Sequence, residues 1–490
     1  MLFNSYIFML FFPIVFFLYW VPLSHKEKYQ NIVLLIASFI FYGWWDWRFL
    51  LLININIFID YYIGSKLQTE TINIKRKIYL ITSIVINIGI LFYFKYFNFF
   101  IASFINVTCL LGINVHIRTL NIILPIAISY YTLQTLGYTI DVYLRKTKPT
   151  SDYITFLTYI SFFPKLLAGP IERASNCLAQ FSTKRVFIYA DAVDGARQIL
   201  WGLFKKITIA DACAEGINAV FTTPSIYGSS TLAFIAILFS IQIYADFSGY
   251  SEIAVGLARL LGIKIIQNFR YPYFSKNIAE FWRRWHISLS TWLRDYIFLP
   301  FTYSLMRMFK RERYFNIKTD KIVNIISTIF TFTLCGVWHG ASSNYILWGI
   351  IHGTMVAAQV FKKKIIRKDK YIDLKTIVFE QLKIASTFLL ITVAWIIFRA
   401  DGLNKVRLFI KGMISKHIFS MPDISLLPKE TMVMIFIMFM FEIYHHKRQH
   451  GLDFNDIKTP KTIKYIIYIV LISFIVLSFR QGQQYIYFKY

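Results

Sequence analysis

The sequence predicts an all-α, multi-pass integral membrane protein, and three observations support this fold class. The 490 residues are 57% hydrophobic and only 16% charged, which lies outside the usual range for soluble globular chains. Several apolar runs approach the roughly 20 residues that a helix needs to cross a bilayer. Aromatic residues make up 19% of the chain, and Trp and Tyr commonly anchor spans at the headgroup level. Counting short and re-entrant segments, these features predict about 11 to 13 membrane helices.

The predicted spans are apolar runs separated by short basic loops. They cover residues 4–23, 78–104, 229–245, 322–338, 382–398, 430–443 and 463–479. The first run has no basic segment before it and no clear small-residue cleavage site, so we interpret it as a retained span. The formal charge is +27, but the Lys and Arg residues fall in loops, as in cytoplasmic loops under the positive-inside rule. We therefore expect these basic loops to lie at the surface of a lipid bilayer, and we expect no nucleic-acid partner.

The basic loops also predict the topology of the first half. Lys26 and Lys28 follow the first span, so we expect the N-terminus outside and this loop inside. The next basic cluster lies at 66–77, so residues 31–64 must cross an even number of times. Trp44 to Trp47 are then expected near an outer turn.

The middle of the chain, residues 150–300, has a different character, because polar residues are scattered through apolar sequence. These residues are Lys165, Glu172, Asp211, Asp246, Glu252 and Arg259. Glycine and proline interrupt the region at Gly169-Pro170, Gly249 and Pro272. Irregular backbone at membrane depth is tolerated only where it is buried in protein or lines a wet cavity. We therefore predict re-entrant or short tilted helices around a cavity.

A sharper topological expectation concerns residues 322–361. The segments 307–321 and 362–370 each carry six Lys or Arg residues, so both are expected in the cytoplasm. The intervening chain should then go out and return. The helical rise of 1.5 Å per residue places His339 roughly 25 Å from Val323. We expect His339 deep in the membrane or near its outer face.

His339 is the first candidate for chemistry, because a titratable group in membrane-like sequence is costly and is a functional candidate by default. It follows Trp338 at the end of a long apolar run, and Gly336 and Gly340 on either side allow close backbone approach. A buried neutral histidine can deprotonate a hydroxyl that attacks an activated acyl carbon, and then return the proton to the leaving group. A structural histidine, hydrogen-bonded inside a helix bundle, is the alternative.

His286 is the second candidate, in the sequence FWRRWHISLS. On a continuous helix, Arg283 would lie three residues back on the same face. A nearby cation favours neutral imidazole, which helps a base, and Arg283 and Arg284 could also hold phosphates or a carboxylate. Alternatively, these arginines and Arg294 mark a membrane interface.

The remaining polar residues suggest fewer roles. His352 is expected to pack or to hydrogen-bond, and Asp246 could orient a base or bind an acceptor, with helix–helix hydrogen bonding as its alternative. The four cysteines, Cys109, Cys177, Cys213 and Cys335, lie far apart and predict neither a disulfide nor a zinc site. No metal is expected, and no Gly-rich phosphate loop or GxSxG serine is present. A Cys335 thiol nucleophile is conceivable, but nothing suggests a lowered pKa.

Eight segments together resemble the membrane-bound O-acyltransferase family, most closely the bacterial branch that O-acetylates extracytoplasmic polysaccharides such as alginate and peptidoglycan. They are LPIAISYYTLQTLGYTIDVYLRK (124–146), SFFPKLLAGPIERA (161–174), WGLFKKITIAD (201–211), QIYADFSGYSEIAVGLARLLGI (242–263), FWRRWHISLSTWLRDYIFLP (281–300), CGVWHGASSNYILWGIIHG (335–353), AWIIFRA (394–400) and QYIYFKY (484–490). They occur in the family's order along almost the whole chain. The family's glycine-rich stretch after LP is replaced by LPFTYSLMRM, and Cys335 stands where glycine is common.

The resemblance implies a single membrane domain over residues 1–490, with a motif-rich catalytic core at 124–353 and further spans at 354–490. It implies a central funnel with a thin centre. The essential WHG histidine of the family matches His339, and the WHxSLS histidine matches His286. We add a set of candidate donor- or acceptor-binding residues, namely Arg283, Arg284, Asp246, Trp338 and Asn344.

The sequence with this resemblance predicts an O-acyltransferase, most simply an acetyltransferase, in the cytoplasmic (inner) membrane. The donor is expected to be acetyl-CoA, with no tightly bound cofactor, and His339 is expected to be the general base. The acceptor is expected to be a polysaccharide hydroxyl on the outer side, reached directly or through an extracytoplasmic SGNH or esterase-like partner. Three alternatives remain open, which are a D-alanyl transferase for teichoic acid, a lipid acyltransferase, and a proton-coupled transporter with His286 and His339 as a relay.

Overall fold

The fold is almost entirely helical. The computed structural model describes residues 1–113, 115, 117, 120, 122–361, 374–414, 419–455, 459–479, 485 and 486. Among these residues, the strands are limited to a short antiparallel hairpin of β1 (Arg313–Tyr314) and β2 (Ile317–Lys318). The chain divides into two compact units, the first of residues 1–203, 250–266 and 481–489 and the second of residues 204–249, 267–480 and 490.

The first unit is built from ten helices in the described part of the chain. They are α1 (Tyr6–Trp20), α2 (Glu27–Gly43), α3 (Arg48–Thr69), α4 (Asn73–Leu91), α5 (Phe97–Leu110), α6 (Ile128–Tyr143), α7 (Tyr153–Ser161), α8 (Phe163–Leu166), α9 (Ala174–Phe181) and α10 (Tyr189–Leu203). A π-helical turn, Phe92–Tyr96, joins α4 to α5. The segment expected to cross an even number of times forms α2 and α3, with Trp44 to Trp47 in the turn between them.

The second unit contains most of the later helices. They are α11 (Ala212–Thr222), α12 (Ser229–Leu260, which belongs to both units), α13 (Ile278–Arg284), α14 (Ile287–Leu293), α15 (Leu299–Met308), α16 (Thr319–His339), α17 (Ser343–Ala357), α18 (Leu374–Arg399), α19 (Leu403–Met413), α20 (Lys429–Tyr444) and α21 (Lys461–Ser478). Two π-helical segments, Phe204–Asp211 and Arg294–Phe298, and four short 3-10 turns, Pro224–Ile226, Pro272–Phe274, Ala358–Phe361 and Ile424–Leu426, complete it.

Six helical stretches in the described residues are long and apolar enough to cross a membrane. They are Arg48–Thr69, Asn73–Leu110, Ser229–Leu260, Thr319–His339, Lys375–Arg399 and Lys461–Ser478. Each of the seven predicted apolar runs overlaps a helix, and the run 78–104 covers parts of α4 and α5 with the π-helical turn between them. The prediction of an all-α, multi-pass membrane protein is confirmed, whereas the total number of spans, the single domain and the funnel stay predictions.

The middle region is only partly a set of short helices. α7, α8, α9, α13 and α14 are short, as expected. However, α12 is one continuous helix of 32 residues that runs through Gly249, so the predicted interruption at this glycine is wrong. A glycine inside a helix costs only about 1 kcal/mol relative to alanine. Most of α12 is buried in the protein, and this packing outweighs so small a local preference.

The chain from 319 to 357 forms a tightly packed antiparallel pair of helices, α16 and α17. A Cβ added to Gly336 would lie 2.1 Å from the carbonyl oxygen of Tyr345. A Cβ added to Gly349 would lie 2.3 Å from the carbonyl oxygen of Phe332. The order of these contacts shows that the helices run in opposite directions, as the predicted excursion requires. The second basic cluster in that argument, residues 362–370, lies outside the described residues.

Candidate active site

His339 is the last residue of α16 and is enclosed by aromatic rings of the second unit. Only 4% of the residue is exposed. Its ring centroid lies 5.2 Å from that of Trp348 on α17 and 5.2 Å from that of Phe398 on α18, both nearly edge-on. The helix ends here because Gly340 adopts extended backbone. The expectation that His339 is a buried imidazole at the end of an apolar helix therefore agrees with its position.

His286 lies between two helices and not within one. α13 ends at Arg284, α14 begins at Ile287, and the backbone of His286 is left-handed, with φ of 43°. The expectation that Arg283 shares a helical face with His286 is therefore wrong. A non-glycine residue with positive φ persists only where its surroundings impose it.

Two backbone hydrogen bonds to the preceding loop hold the chain around His286. The amide of Arg270 donates to the carbonyl of Arg284 at 3.0 Å, and the amide of Ile287 donates to the carbonyl of Asn268 at 2.9 Å. These bonds hold the chain on both sides of His286. They explain why two short helices replace the single one that local sequence suggested.

The side chain of Asn268 determines which nitrogen of His286 carries the proton. Its Oδ1 accepts from the amide of Ser288 at 3.1 Å and from the Ser288 hydroxyl at 2.7 Å, so this atom is the amide oxygen. His286 Nδ1 lies 3.3 Å from the same oxygen and must donate to it. In the neutral form of the ring, the single proton therefore lies on Nδ1 and Nε2 carries the lone pair. This tautomer leaves Nε2 as the nitrogen able to accept a proton.

Trp338 lies between the two predicted histidines. Its ring centroid is 4.8 Å from that of His339 and 6.1 Å from that of His286. Phe247 of α12 also packs edge-on to His286, at 4.8 Å. The structure thus brings His286, Trp338 and His339 into one buried aromatic cluster of the second unit.

A cavity of about 570 Å³ lies in the second unit, and its lining includes Ile287 and Cys335 but none of the three residues of this cluster. Its wall includes Trp282, Arg283, Arg294, Phe332 and Cys335. Cys335 is one helical turn before His339 on α16, and Arg283 makes no ion pair within the described part of the chain, whereas Arg294 pairs with Asp295 at 2.7 Å. Arg283 is exposed, and an apolar pocket with an accessible arginine at its wall suits a ligand that has an anionic group and an apolar arm. Among the described residues, no group of three or more His, Cys, Asp or Glu could hold a metal ion.

Two predicted binding residues make contacts within the protein. Arg284 forms an ion pair with Glu280 at 2.6 Å, one turn earlier on α13. Asn344 is buried, and its Nδ2 donates to the carbonyls of Ala400 at 2.6 Å and Ile397 at 3.3 Å, at the end of α18. These bonds satisfy carbonyls that a helix end leaves without partners. Their roles in binding a donor or acceptor stay predictions.

Asp246, a third predicted binding residue, belongs to a buried ion cluster. Lys206 Nζ lies 2.7 Å from Asp246 Oδ1 and 2.7 Å from Asp211 Oδ1, and all three side chains are at most 6% exposed. Nearby, Glu442 lies 3.7 Å from Lys205. A lysine between two carboxylates is a strong structural restraint, because separating buried opposite charges is costly.

Sequence reasoning missed Asn268 and Trp348. Asn268 lies 18 residues before His286, and no motif linked them. Trp348 and His352 stand in WGIIHG four residues apart, a spacing that places both on one helical face and could have indicated a shared site.

These features define a polytopic membrane protein with two buried imidazoles near a cavity, one of which donates from Nδ1 to Asn268. Comparison with known proteins agrees with this class. The sequence profile described as "MBOAT, membrane-bound O-acyltransferase family" matches residues 145–399. The chain belongs to this family and is an acyltransferase.

Three relatives illustrate the range of the similarity. "Probable alginate O-acetylase AlgI" of Pseudomonas syringae is 36% identical over 427 residues, which cover 86% of this chain and 76% of the relative. "Peptidoglycan O-acetyltransferase" of Helicobacter pylori is 29% identical, over 87% of this chain and 82% of the relative. "Teichoic acid D-alanyltransferase" of Bacillus subtilis is 32% identical over 260 residues, which cover 51% of this chain and 63% of the relative.

Proposed function

We propose that this protein transfers an acetyl group from a cytosolic thioester, acetyl-CoA, towards hydroxyls of an extracytoplasmic polysaccharide. Its place would be the cytoplasmic (inner) membrane, and an SGNH or esterase-like extracytoplasmic protein would complete transfer to the polymer. The observation that carries the proposal is the enclosed imidazole of His339, one turn from the cavity residue Cys335. The names of relatives that match most of the chain, an alginate O-acetylase and a peptidoglycan O-acetyltransferase, support acetyl and polysaccharide as the group and the acceptor.

The reaction needs one proton acceptor that returns its proton. His339 takes the proton of the acceptor hydroxyl as that oxygen attacks the thioester carbonyl carbon. The tetrahedral intermediate then collapses, the C–S bond breaks, and the leaving thiolate takes the proton from His339. General acid–base catalysis of this kind contributes about 10²- to 10⁴-fold. His286 supports His339 through Trp338, which contacts both rings.

The cavity is our candidate for the donor site. An apolar wall suits the pantetheine arm and the acetyl group, and the Arg283 guanidinium suits an anionic phosphate. Replacing Arg283 by alanine is expected to raise the KM for acetyl-CoA by at least about tenfold, because a charge-assisted contact contributes about 1.5–3 kcal/mol. Arg407→Ala, an exposed arginine on α19, is the matched control and should leave KM unchanged.

D-alanyl transfer to teichoic acid is the second candidate. The Bacillus subtilis relative named a teichoic acid D-alanyltransferase supports it, but it covers only 51% of this chain. This candidate differs in its donor, a carrier-protein thioester. Stimulation of transfer by a D-alanyl carrier protein and not by acetyl-CoA would favour it.

The deciding experiment compares acetyl esters in isolated cell-envelope polysaccharides from cells with wild-type protein and with His339→Ala, at equal amounts in the membrane. We expect the ester of one polymer to fall at least about 100-fold, as for loss of a general base. His446→Ala, an exposed histidine, is the control and should retain the ester. Unchanged ester in every polymer with His339→Ala would overturn the proposal.

A further inference from the structure

The most informative contact outside the proposed chemistry is a hydrogen bond between Trp282 and His352. Trp282 Nε1 donates to His352 Nδ1 at 3.2 Å, and both residues are buried. Indole nitrogen can only donate, so His352 Nδ1 must be unprotonated and the proton of this ring lies on Nε2. The bond therefore holds His352 in one neutral tautomer, since protonation of Nδ1 would break it.

The two residues of this bond face different parts of the site. Trp282 belongs to the wall of the 570 Å³ cavity, whereas His352 does not line it. The His352 ring centroid lies 4.6 Å from that of Trp348, and the Trp348 ring is in turn 5.2 Å from His339. A continuous series of contacts therefore runs from the cavity wall through Trp282, His352 and Trp348 to His339.

These residues do more than fill the core, because they keep polar nitrogen atoms at positions where apolar side chains would be enough for packing. His352 Nε2 and Trp348 Nε1 have no hydrogen-bond partner within the described residues, and both residues are fully buried. Buried donors without acceptors are rare in proteins and each is costly. Leucine or phenylalanine would pack here without that cost, so the nitrogen atoms of His352 and Trp348 need a reason beyond packing.

We propose that His352 is a positioning residue for acyl transfer, which Trp282 holds in place so that Trp348 packs against His339 in the reactive orientation. This inference rests on the proposed role of His339 as the general base. It assigns to the WGIIHG histidine a role distinct from that of His286. It also gives the cavity wall a direct connection to the base, since any movement of Trp282 on donor binding reaches His339 through these rings.

The test uses the purified full-length protein in lipid nanodiscs together with its extracytoplasmic SGNH or esterase-like partner. Radiolabelled acetyl-CoA is the donor, and the acceptor is the isolated polysaccharide that loses its ester in the His339→Ala strain. His352→Phe and Trp282→Phe each remove the hydrogen bond, and each should lower kcat about five- to tenfold, the equivalent of about one hydrogen bond. The KM for acetyl-CoA should be unchanged in His352→Phe, because His352 does not line the cavity. His352→Asn keeps an acceptor near the position of Nδ1 and should retain kcat within about twofold.

A double variant and a matched histidine separate positioning from general packing. Trp282→Phe with His352→Phe should be no slower than either single variant, because both remove the same bond. His450→Phe is the control, since His450 is also fully buried and its Nδ1 also accepts a hydrogen bond, from the Leu452 amide at 3.3 Å. It should leave kcat unchanged.

The outcomes distinguish this inference from the proposed function. Wild-type kcat in both His352→Phe and Trp282→Phe, or equal losses in His352→Asn and His352→Phe, would overturn the positioning role. Loss of activity in His339→Ala would still support His339 as the base in that case. If His352→Phe does not fold, Trp282→Phe alone decides through its kcat. If His339→Ala is as active as wild type, the proposed function fails, and the positioning role fails with it.

Discussion

The close packing of α16 on α17 makes Gly336 a sensitive position. A Cβ added to Gly336 would lie 2.1 Å from the carbonyl oxygen of Tyr345 and 2.9 Å from its carbon. Both atoms belong to the backbone of α17, so no side-chain rotation can relieve the overlap. Replacing Gly336 by alanine must therefore push the two helices apart.

The size of the displacement follows from the same distance. Ordinary van der Waals contact begins near 3.4 Å, so the Tyr345 carbonyl must retreat by about 1.3 Å. Overpacking of this kind costs about 1–3 kcal/mol. Gly336 is three residues before His339, and a misplacement of about 1 Å at a reacting group can cost about 100-fold in rate. We expect a modest loss of stability and a much larger loss of activity.

The assay combines thermal unfolding of the purified protein, followed by tryptophan fluorescence in detergent, with acetyl-ester content of the cell envelope. Gly89→Ala is the matched control, because Gly89 lies inside α4 and an added Cβ there meets no atom within 4 Å. Alanine is the better helix former by about 1 kcal/mol, so Gly89→Ala should be at least as stable as wild type.

The comparison has a clear refuting result. Gly336→Ala with wild-type melting temperature and ester content would show that α16 and α17 are not in backbone contact at this level. Equal losses in both variants would instead point to a general effect of alanine in membrane helices, and would refute the explanation by close approach.

Two further predictions concern polar contacts of the second unit. Asn268→Leu removes the acceptor that orients His286, so acetyl transfer should fall towards that of His286→Ala. The double variant should be no less active than His286→Ala alone, and additive losses in the two single variants would contradict this. Lys206→Met removes the cation between two buried aspartates, which should destabilise the protein by about 3–5 kcal/mol; a wild-type thermal unfolding curve would exclude a structural ion cluster.

The helical architecture could be predicted from sequence because the bilayer imposes it. Backbone groups in hydrocarbon must form hydrogen bonds within their own segment, so a long apolar run has few alternatives to a helix. The run 322–338 became α16, Thr319–His339, with boundaries only one to three residues away. The same reasoning marked His286 and His339 as candidates, since polar side chains are conspicuous in such runs.

The local geometry of the site could not be predicted, because residues distant in sequence impose it. A helix through Trp285 was the natural expectation, and backbone pairing with residues 268–270 replaced it by a left-handed turn at His286. Gly249 was expected to end a helix, and burial of α12 kept it intact. In both cases tertiary contacts outweighed a local preference of about 1–2 kcal/mol.

The sequence by itself determined the membrane fold, the family resemblance and the two histidines of interest. Only the tertiary structure decided that Asn268 selects the tautomer of His286, that Lys206 engages Asp246, and that Trp282 connects the cavity to His352. The physical reason is the distance along the chain over which each interaction acts. Hydrophobic periodicity acts over one helix, whereas a hydrogen bond between side chains 18, 40 or 70 residues apart depends on how those helices pack.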